Sequence, residues 1–379
     1  MATPTVNTTA KEWILSILNG TDEARLNSSE FVLDTGQLLD ICEYEGITPL
    51  LWHQIVAKDL KASLPLSLTG KLQSLSLQYA AVNMLRQQEL QRLIRLFHRE
   101  GLDFLLLKGE ALATTCYPQA YLRTRTDSDL LFSTKEASEK AWRVVQSEGY
   151  RRLATLQGEL VGFQFPCQKT LMSGIINHLD VHHKITNALW FAQRLDYLEL
   201  KENSLIIDYM GEPVSVLTPL YALIHACIHR ITNKSHQAEN RLIWLYDIHL
   251  LSGKLAPTDW QKLLQICEEK DFAAIILEGL TNTGELFGDN APADIVDHLA
   301  ALANKQHAPI ANADSRLKHY LLDLSSNFSS DKGIKNSLRF LKEQLLPPPA
   351  YVAMKYGVKH KILLPWYYLK RILDVISKK

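Results

Sequence analysis

Residues 66–100, LSLTGKLQSLSLQYAAVNMLRQQELQRLIRLFHRE, keep a 3.6-residue apolar period with few breakers. They read as one long helix that ends near Gly101, and the flanking chain must pack along it. Ahead of it, Glu12, Trp13, Ile14, Ile17 and Leu18 form an apolar stripe at helical spacing. A second helix is expected from Gly36 to Tyr44, and a third after Pro49. Residues 1–100 therefore form an N-terminal helical region.

The texture then changes. LDFLLLKG (102–109) is too short for a typical helix and is bounded by glycines, so it reads as a buried strand. ALATTCY (111–117) reads as a helix that starts right after Gly109 and is ended by Pro118. DSDLLFS (127–133) is a second strand, and Ser133 or Thr134 caps the helix KEASEKAWRVVQSEG. Two strand-like stretches are expected around Gly158, between Tyr150 and Phe165. IINHLDVHHKI (175–185) is another strand, and SLIIDYMG with PVSVL closes the mixed segment at 217. From Pro219 onward the helical period returns, with a rigid break at PPP, 347–349. The reading is an α+β chain: a mixed core over 101–217 between helical regions at 1–100 and 218–379. Its strands do not alternate regularly with helices, which disfavours a doubly wound parallel sheet.

Charge narrows the function classes. Lys plus Arg number 41 and Asp plus Glu 41, so the chain carries no net charge. A protein that grips long nucleic acid by a broad basic face would carry an excess of positive charge. The five cysteines are scattered and contain no CxxC pair, which points away from zinc or redox motifs and toward a reducing, cytoplasmic compartment. The N-terminus has no basic stretch followed by an apolar run, so no signal peptide is expected, and no apolar stretch is long enough to span a membrane. LLPWYYLKRILDVISKK, at the C-terminus, reads as a basic amphipathic helix. Docking on the body of the protein is its simpler role; peripheral contact with a membrane is the other.

One constellation carries chemistry. Asp127 and Asp129 lie two apart on an expected strand, so both carboxylates share a face. Asp180 sits on another strand, with His178, His182 and Lys184 at the same parity. If the strands are neighbours, three carboxylates meet. Two of them about 4 Å apart repel by about 4 kcal/mol at an effective dielectric near 20, so a proton or a cation must offset the charge. Oxygen ligands point to Mg²⁺ or Mn²⁺. Lys108–Gly109, at the end of a strand and the start of a helix, offers backbone N–H groups to an anion, and Arg123 and Arg125 add positive charge. Cation- and anion-binding groups this close suit a metal-bound phosphate ester. An isolated DxD is a weak signal; the order of strand, glycine, helix, basic residues, DxD and later Asp strengthens it.

LLLKGEALATTCYPQAYLRTRTDSDLLF resembles the motif block of an uncharacterised bacterial nucleotidyltransferase family, which reads roughly LKG-x-AL-x(4)-YP-x(3)-LR-x(3)-D-x-D-L-L. HLDVHH is similar to its later D-L-H strand, and LIHACIHR and RLIWLYDIHLL to its helical block; the likeness spans roughly residues 40–370. The resemblance implies a DNA polymerase β-type fold, a small mixed sheet with helices. It makes Gly109 the glycine that holds the nucleotide phosphates, Asp127 and Asp129 the metal pair, and Asp180 the third carboxylate, which shares the metal and activates the acceptor hydroxyl. It implies a nucleoside triphosphate as donor and Mg²⁺ as cofactor. Lys108, Arg123 and Arg125 would offset phosphate charge, and His182 would face the site or simply pack. The chain departs from the wider superfamily in two ways: Gly109 is followed by Glu110 in place of a small residue, and the gap to Asp127 is longer. The acceptor is open between small molecule, sugar, lipid precursor and peptide, with polysaccharide or natural-product biosynthesis as the setting. Glu110 also keeps open a nucleotide-binding regulator or assembly protein without turnover, and a helical scaffold with a chance DxD is a third reading. His225 and His229 lie four apart but lack the intervening Glu of the zinc-protease pattern, so partly buried, hydrogen-bonded histidines are expected, with Arg241 and Asp247 pairing with them or lining the cleft.

Overall fold

The apolar run after Gly101 is a strand, β1 (Phe104–Leu107), buried on both faces. Around it a seven-stranded mixed sheet assembles. We describe it from a computed structural model covering residues 8–20, 34–172, 174–234, 240–306, 333–358 and 360–377. On one side β1 pairs antiparallel with β2 (Asp127–Phe132), which lies parallel to β5 (Ile176–His182). Antiparallel to β5 runs β4 (Gln164–Thr170), edged by the two-residue β3 (Arg151–Arg152). On the other side β1 is parallel to β7 (Glu212–Leu217), which forms a hairpin with β6 (Ser204–Tyr209). The order is β3-β4-β5-β2-β1-β7-β6, a mixed α+β arrangement. Met210 and Gly211 both have positive φ, the backbone a two-residue hairpin turn of primed type needs.

Before the sheet come α1 (Thr8–Asn19), α2 (Thr35–Glu45), α3 (Thr48–Ala57) and the long α4 (Leu66–Arg99). Within it are α5 (Lys108–Thr115), α6 (Lys135–Ser147), and two short helices, α7 (Leu189–Ala192) and α8 (Tyr197–Glu202). After it come α9 (Pro219–Thr232), α10 (Leu242–Ser252), α11 (Pro257–Lys270), α12 (Ala273–Phe287), α13 (Ala293–Lys305), α14 (Gly333–Leu345), α15 (Pro349–Tyr356) and α16 (Leu364–Ser377). Strand alternation sorts the core. Phe104, Leu106, Leu130 and Phe132 pack with Leu93 and Phe97 of α4 and with Val145 of α6. Leu105, Leu107 and Leu131 face the opposite way, onto Leu223, Ile224 and Ile228 of α9. Asp127 and Asp129 share the parity of Leu131, so they too face α9. The N-terminal helices close a core with α10, where Ile14, Leu38 and Leu51 join Leu242 and Ile243.

Some boundaries differ from expectation. The first expected strand near Gly158 shrinks to Arg151–Arg152, and the second begins only at Gln164 and runs on to Thr170. Gly162 explains the break. It has φ +66°, and a Cβ there would stand 2.0 Å from the Leu156 carbonyl oxygen, so the chain folds back on itself at this point. The helix after β1 starts at Lys108, before Gly109, and Thr134 is the cap of α6, its hydroxyl accepting from the Ala137 N–H at 3.1 Å. The triple proline separates α14 from α15 as expected. Arg371 of α16 is buried and donates to the Gln344 carbonyl oxygen, while Trp366, Leu369 and Leu373 are exposed. No described helix is long and apolar enough to cross a membrane.

Candidate active site

The parallel register of β2 and β5 builds the site. Asp129 lies directly beside Asp180, and Asp127 beside His178. His182, two residues beyond Asp180, shares its face. One ligand atom each from Asp129, Asp180 and His182 lies within 4.8 Å of the others. Asp129 Oδ1 accepts from Lys108 Nζ at 2.7 Å and lies 2.9 Å from His182 Nε2. Asp180 Oδ2 accepts from Gln164 Nε2 on β4 at 3.1 Å. Lys108 reaches Asp129 from the corner between β1 and α5, where its φ is +50°. That left-handed conformation is strained for a residue with a Cβ, by about 1–3 kcal/mol.

The electrostatics are uneven. Burial alone would raise the Asp129 pKa, but the Lys108 ammonium and the His182 contact hold it well below the ordinary carboxylate value. Burial, then the charges of Asp129 and Asp180, push Asp127 up to about 6. Burial and then Asp129 push Asp180 up to about 6 as well. Three carboxylates thus meet one ammonium, and the site is short of positive charge. Between about pH 4 and pH 6 the two raised groups bind more protons in the folded than in the unfolded chain, so their contribution to stability falls as pH rises through that window. Asp129 has the opposite sign: its contribution is present above its ordinary value and is lost only as pH falls below it. In the presence of a chelator the melting temperature is expected to drop from pH 4 toward pH 6.5 by this contribution. Asp180→Asn should flatten that slope, and an unchanged slope in the variant would reject the assignment.

The carboxylates open onto a cleft of about 730 Å³ between the sheet and the helices that follow it. His225 and His229 of α9 form part of the far wall. Burial pushes His225 down to about 3 and His229 well below the ordinary imidazole value, so both are neutral. His229 Nδ1 lies 3.1 Å from Asn233 Nδ2, and its ring sits 4.7 Å from that of Trp244. His225 is buried and His229 partly buried, in line with the partly buried, hydrogen-bonded histidines that the sequence suggested.

A family model described as "Uncharacterised nucleotidyltransferase" matches residues 32–288, more than half of the chain. The chain belongs to that family. No curated protein matches it. Among solved structures, the crystal structure of an antigenic nucleotidyltransferase-like protein from Paracoccidioides brasiliensis aligns at 13% identity and a TM-score of 0.35, over 50% of this chain and 91% of that one.

In this nucleotidyltransferase the residues singled out by sequence have definite places. Lys108, Gly109, Arg123, Arg125, Asp127, Asp129 and Asp180 all border the cleft, and His182 lies buried behind Asp129. Arg123 is engaged in a buried fork, with Nη2 2.7 Å from Asp247 Oδ2 and Nε 3.3 Å from both carboxylate oxygens. Tyr117 donates its hydroxyl to the same carboxylate at 2.8 Å. Arg125 is ion-paired with Glu110. Glu110 is buried and turned away from the cleft, accepting also from the Tyr209 hydroxyl at 2.7 Å. The Glu that stands where the superfamily has a small residue is therefore an internal partner of Arg125 and Tyr209. Gly109 has a packing reason of its own: a Cβ there would stand 2.9 Å from Arg123 Nη1. Sequence reasoning missed Gln164, because its strand was placed too early, and Tyr117, which it read only as the last residue of the helix that Pro118 ends. Asp247 was in view, but its partner Arg123 lies 124 residues away and no local pattern announced the pair.

Proposed function

We propose that the protein is a divalent-metal-dependent nucleotidyltransferase that moves a nucleotidyl group from a nucleoside triphosphate to a hydroxyl or phosphate of a small acceptor. The acceptor classes that fit a neutral chain are a small molecule, a sugar, a lipid precursor or a peptide, in polysaccharide or natural-product biosynthesis. The observation that carries this reading is the register that sets Asp129 beside Asp180, with Asp127 two residues earlier on the same face.

The donor set suits Mg²⁺ or Mn²⁺. It is rich in carboxylate oxygen, two of its carboxylates have raised pKa values, and the Lys108 ammonium already sits on the third. Asp127, Asp129 and Asp180 would hold the ion, which when bound would polarise the triphosphate and offset the charge of the leaving group. His182 fixes the Asp129 carboxylate. The first turn of α5 receives no side-chain cap from Leu107, so its N–H groups at Lys108 and Gly109 are available to phosphate oxygens. Lys108 supplies positive charge beside them. Arg123 and Arg125, committed to Asp247 and Glu110, shape this corner around Gly109. Asp180 accepts the proton of the acceptor hydroxyl as the new oxygen–phosphorus bond forms at the α-phosphate. The bond to the β-phosphate breaks and its electron pair leaves with pyrophosphate. Glu110 gives no support to the alternative of a site that binds without turnover, since its charge is answered by Arg125.

Thermal shift with each of the four nucleoside triphosphates tests this without knowledge of the acceptor. One of them at about 100 times its Kd should add about 2.7 kcal/mol of stability, and only with Mg²⁺ or Mn²⁺ present. No shift with any triphosphate would overturn the proposal.

A further inference from the structure

One further cation on the cleft wall, Arg241, is not engaged by the carboxylate site. Arg241 immediately precedes α10 and lines the cleft with Trp244. Its guanidinium makes no hydrogen bond or ion pair with any described residue, and Nε is buried without a partner. Glu45 supplies the nearest opposing field, but that carboxylate already accepts from the Leu242 N–H at 2.6 Å and lies 3.6 Å from Lys11 Nζ. Glu43 borders the same cleft and forms no ion pair with Arg241. The guanidinium instead lies against rings, 5.3 Å from the centre of Trp244 and 5.9 Å from that of Tyr44. Below it, a Cβ at Gly46 would stand 3.1 Å from Nη2, so Gly46 leaves the room that the fork occupies.

This arrangement contrasts with its neighbours. Arg123 and Arg125 each have a carboxylate, whereas Arg241 lies against aromatic faces and makes no hydrogen bond or ion pair with a described residue. A guanidinium stays charged at any working pH, and donors withdrawn from water without acceptors are costly. A guanidinium fork on the wall of a cleft, packed on aromatic rings and paired with no described carboxylate, is a ready receptor for an oxyanion. We propose that Arg241 anchors an anion subsite for a phosphate group, distinct from the carboxylate cluster. The phosphate belongs either to the donor triphosphate or to a phosphorylated acceptor. The assignment to substrate rests on the transferase reading of the cleft; the anion site itself does not.

Wild type, Arg241→Gln and Arg241→Lys, each as the full chain, test it by calorimetric titration. The probes are a non-hydrolysable triphosphate analogue with Mg²⁺, and inorganic phosphate added after the analogue has saturated. Arg241→Gln should weaken one probe by roughly tenfold to a hundredfold, the range for a hydrogen bond to a charged group, and Arg241→Lys should weaken it less. Loss on the analogue assigns the subsite to the donor. Loss on phosphate alone assigns it to an acceptor phosphate. Unchanged affinity for both probes overturns the proposal. If wild type fails to bind the analogue, the transferase reading falls, while phosphate binding that depends on Arg241 would still establish the anion site. Should the Gln variant not fold, the comparison of Lys with wild type decides in the same way.

Discussion

Asp129→Asn is expected to abolish the Mg²⁺-dependent stabilisation by nucleoside triphosphate, and also to weaken the fold in the absence of ligand. Both effects follow from one oxygen. Asp129 Oδ1 is bonded to Lys108 and lies against His182, while the same carboxylate faces Asp180 across the strand pair. An amide keeps the shape but removes the charge. Lys108 then faces only Asp127 and Asp180, both of which retain protons more readily than an ordinary carboxylate. Losing one partner of a fully buried pair costs about 3–5 kcal/mol; the Lys108 side chain keeps 22% of its exposure, so about 2 kcal/mol is the better figure. The ligand term of about 2.7 kcal/mol at 100 times Kd should vanish separately. Melting curves with and without nucleotide and Mg²⁺ resolve the two. A variant that melts lower yet keeps the full nucleotide shift would show that Asp129 is structural only.

Asp247→Asn is expected to be the most destabilising single change around the cleft. Arg123 is 8% exposed and Asp247 3%. The pair joins the loop before β2 to α10, so it ties the sheet to the helices that close the cleft. Asparagine retains a hydrogen bond to Tyr117 but leaves the guanidinium without its counter-charge. The expected loss is about 3–5 kcal/mol, a fall in melting temperature on the order of 10 °C. Adding Arg123→Met to the same chain should restore part of that loss, because the uncompensated charge is then gone. A double variant no more stable than Asp247→Asn alone would show that hydrogen bonding to Tyr117, and not the ion pair, holds this junction.

The legible parts of the molecule were those that local periodicity dictates. The 3.6 period from Leu66 marked α4 within a residue of its ends, and the glycine-bounded leucines marked β1. Asp127, Asp129 and Asp180 could be named because strand parity puts residues two apart on one face. The region from Tyr150 to Thr170 was harder. β3 is only two residues long, and the break before β4 depends on Gly162 meeting the Leu156 carbonyl, a contact made only once the chain has folded back. Glu110 shows a different limit. Beside Gly109 in the sequence it looked like a departure from a phosphate-binding loop, but its partners Arg125 and Tyr209 lie 15 and 99 residues away.

Spacing along the chain therefore determined which residue types share a strand face or a helix face, and with them the carboxylate set and the succession of helical and mixed segments. It could do so because backbone geometry repeats every two or 3.6 residues whatever the tertiary context. Only the tertiary structure decided which charge answers which. Lys108 lies on Asp129, Arg123 on Asp247, Arg125 on Glu110, and Arg241 forms no ion pair with any described carboxylate. Charges attract without regard to sequence distance, so their pairing is set by which elements are brought together and how far each is withdrawn from water.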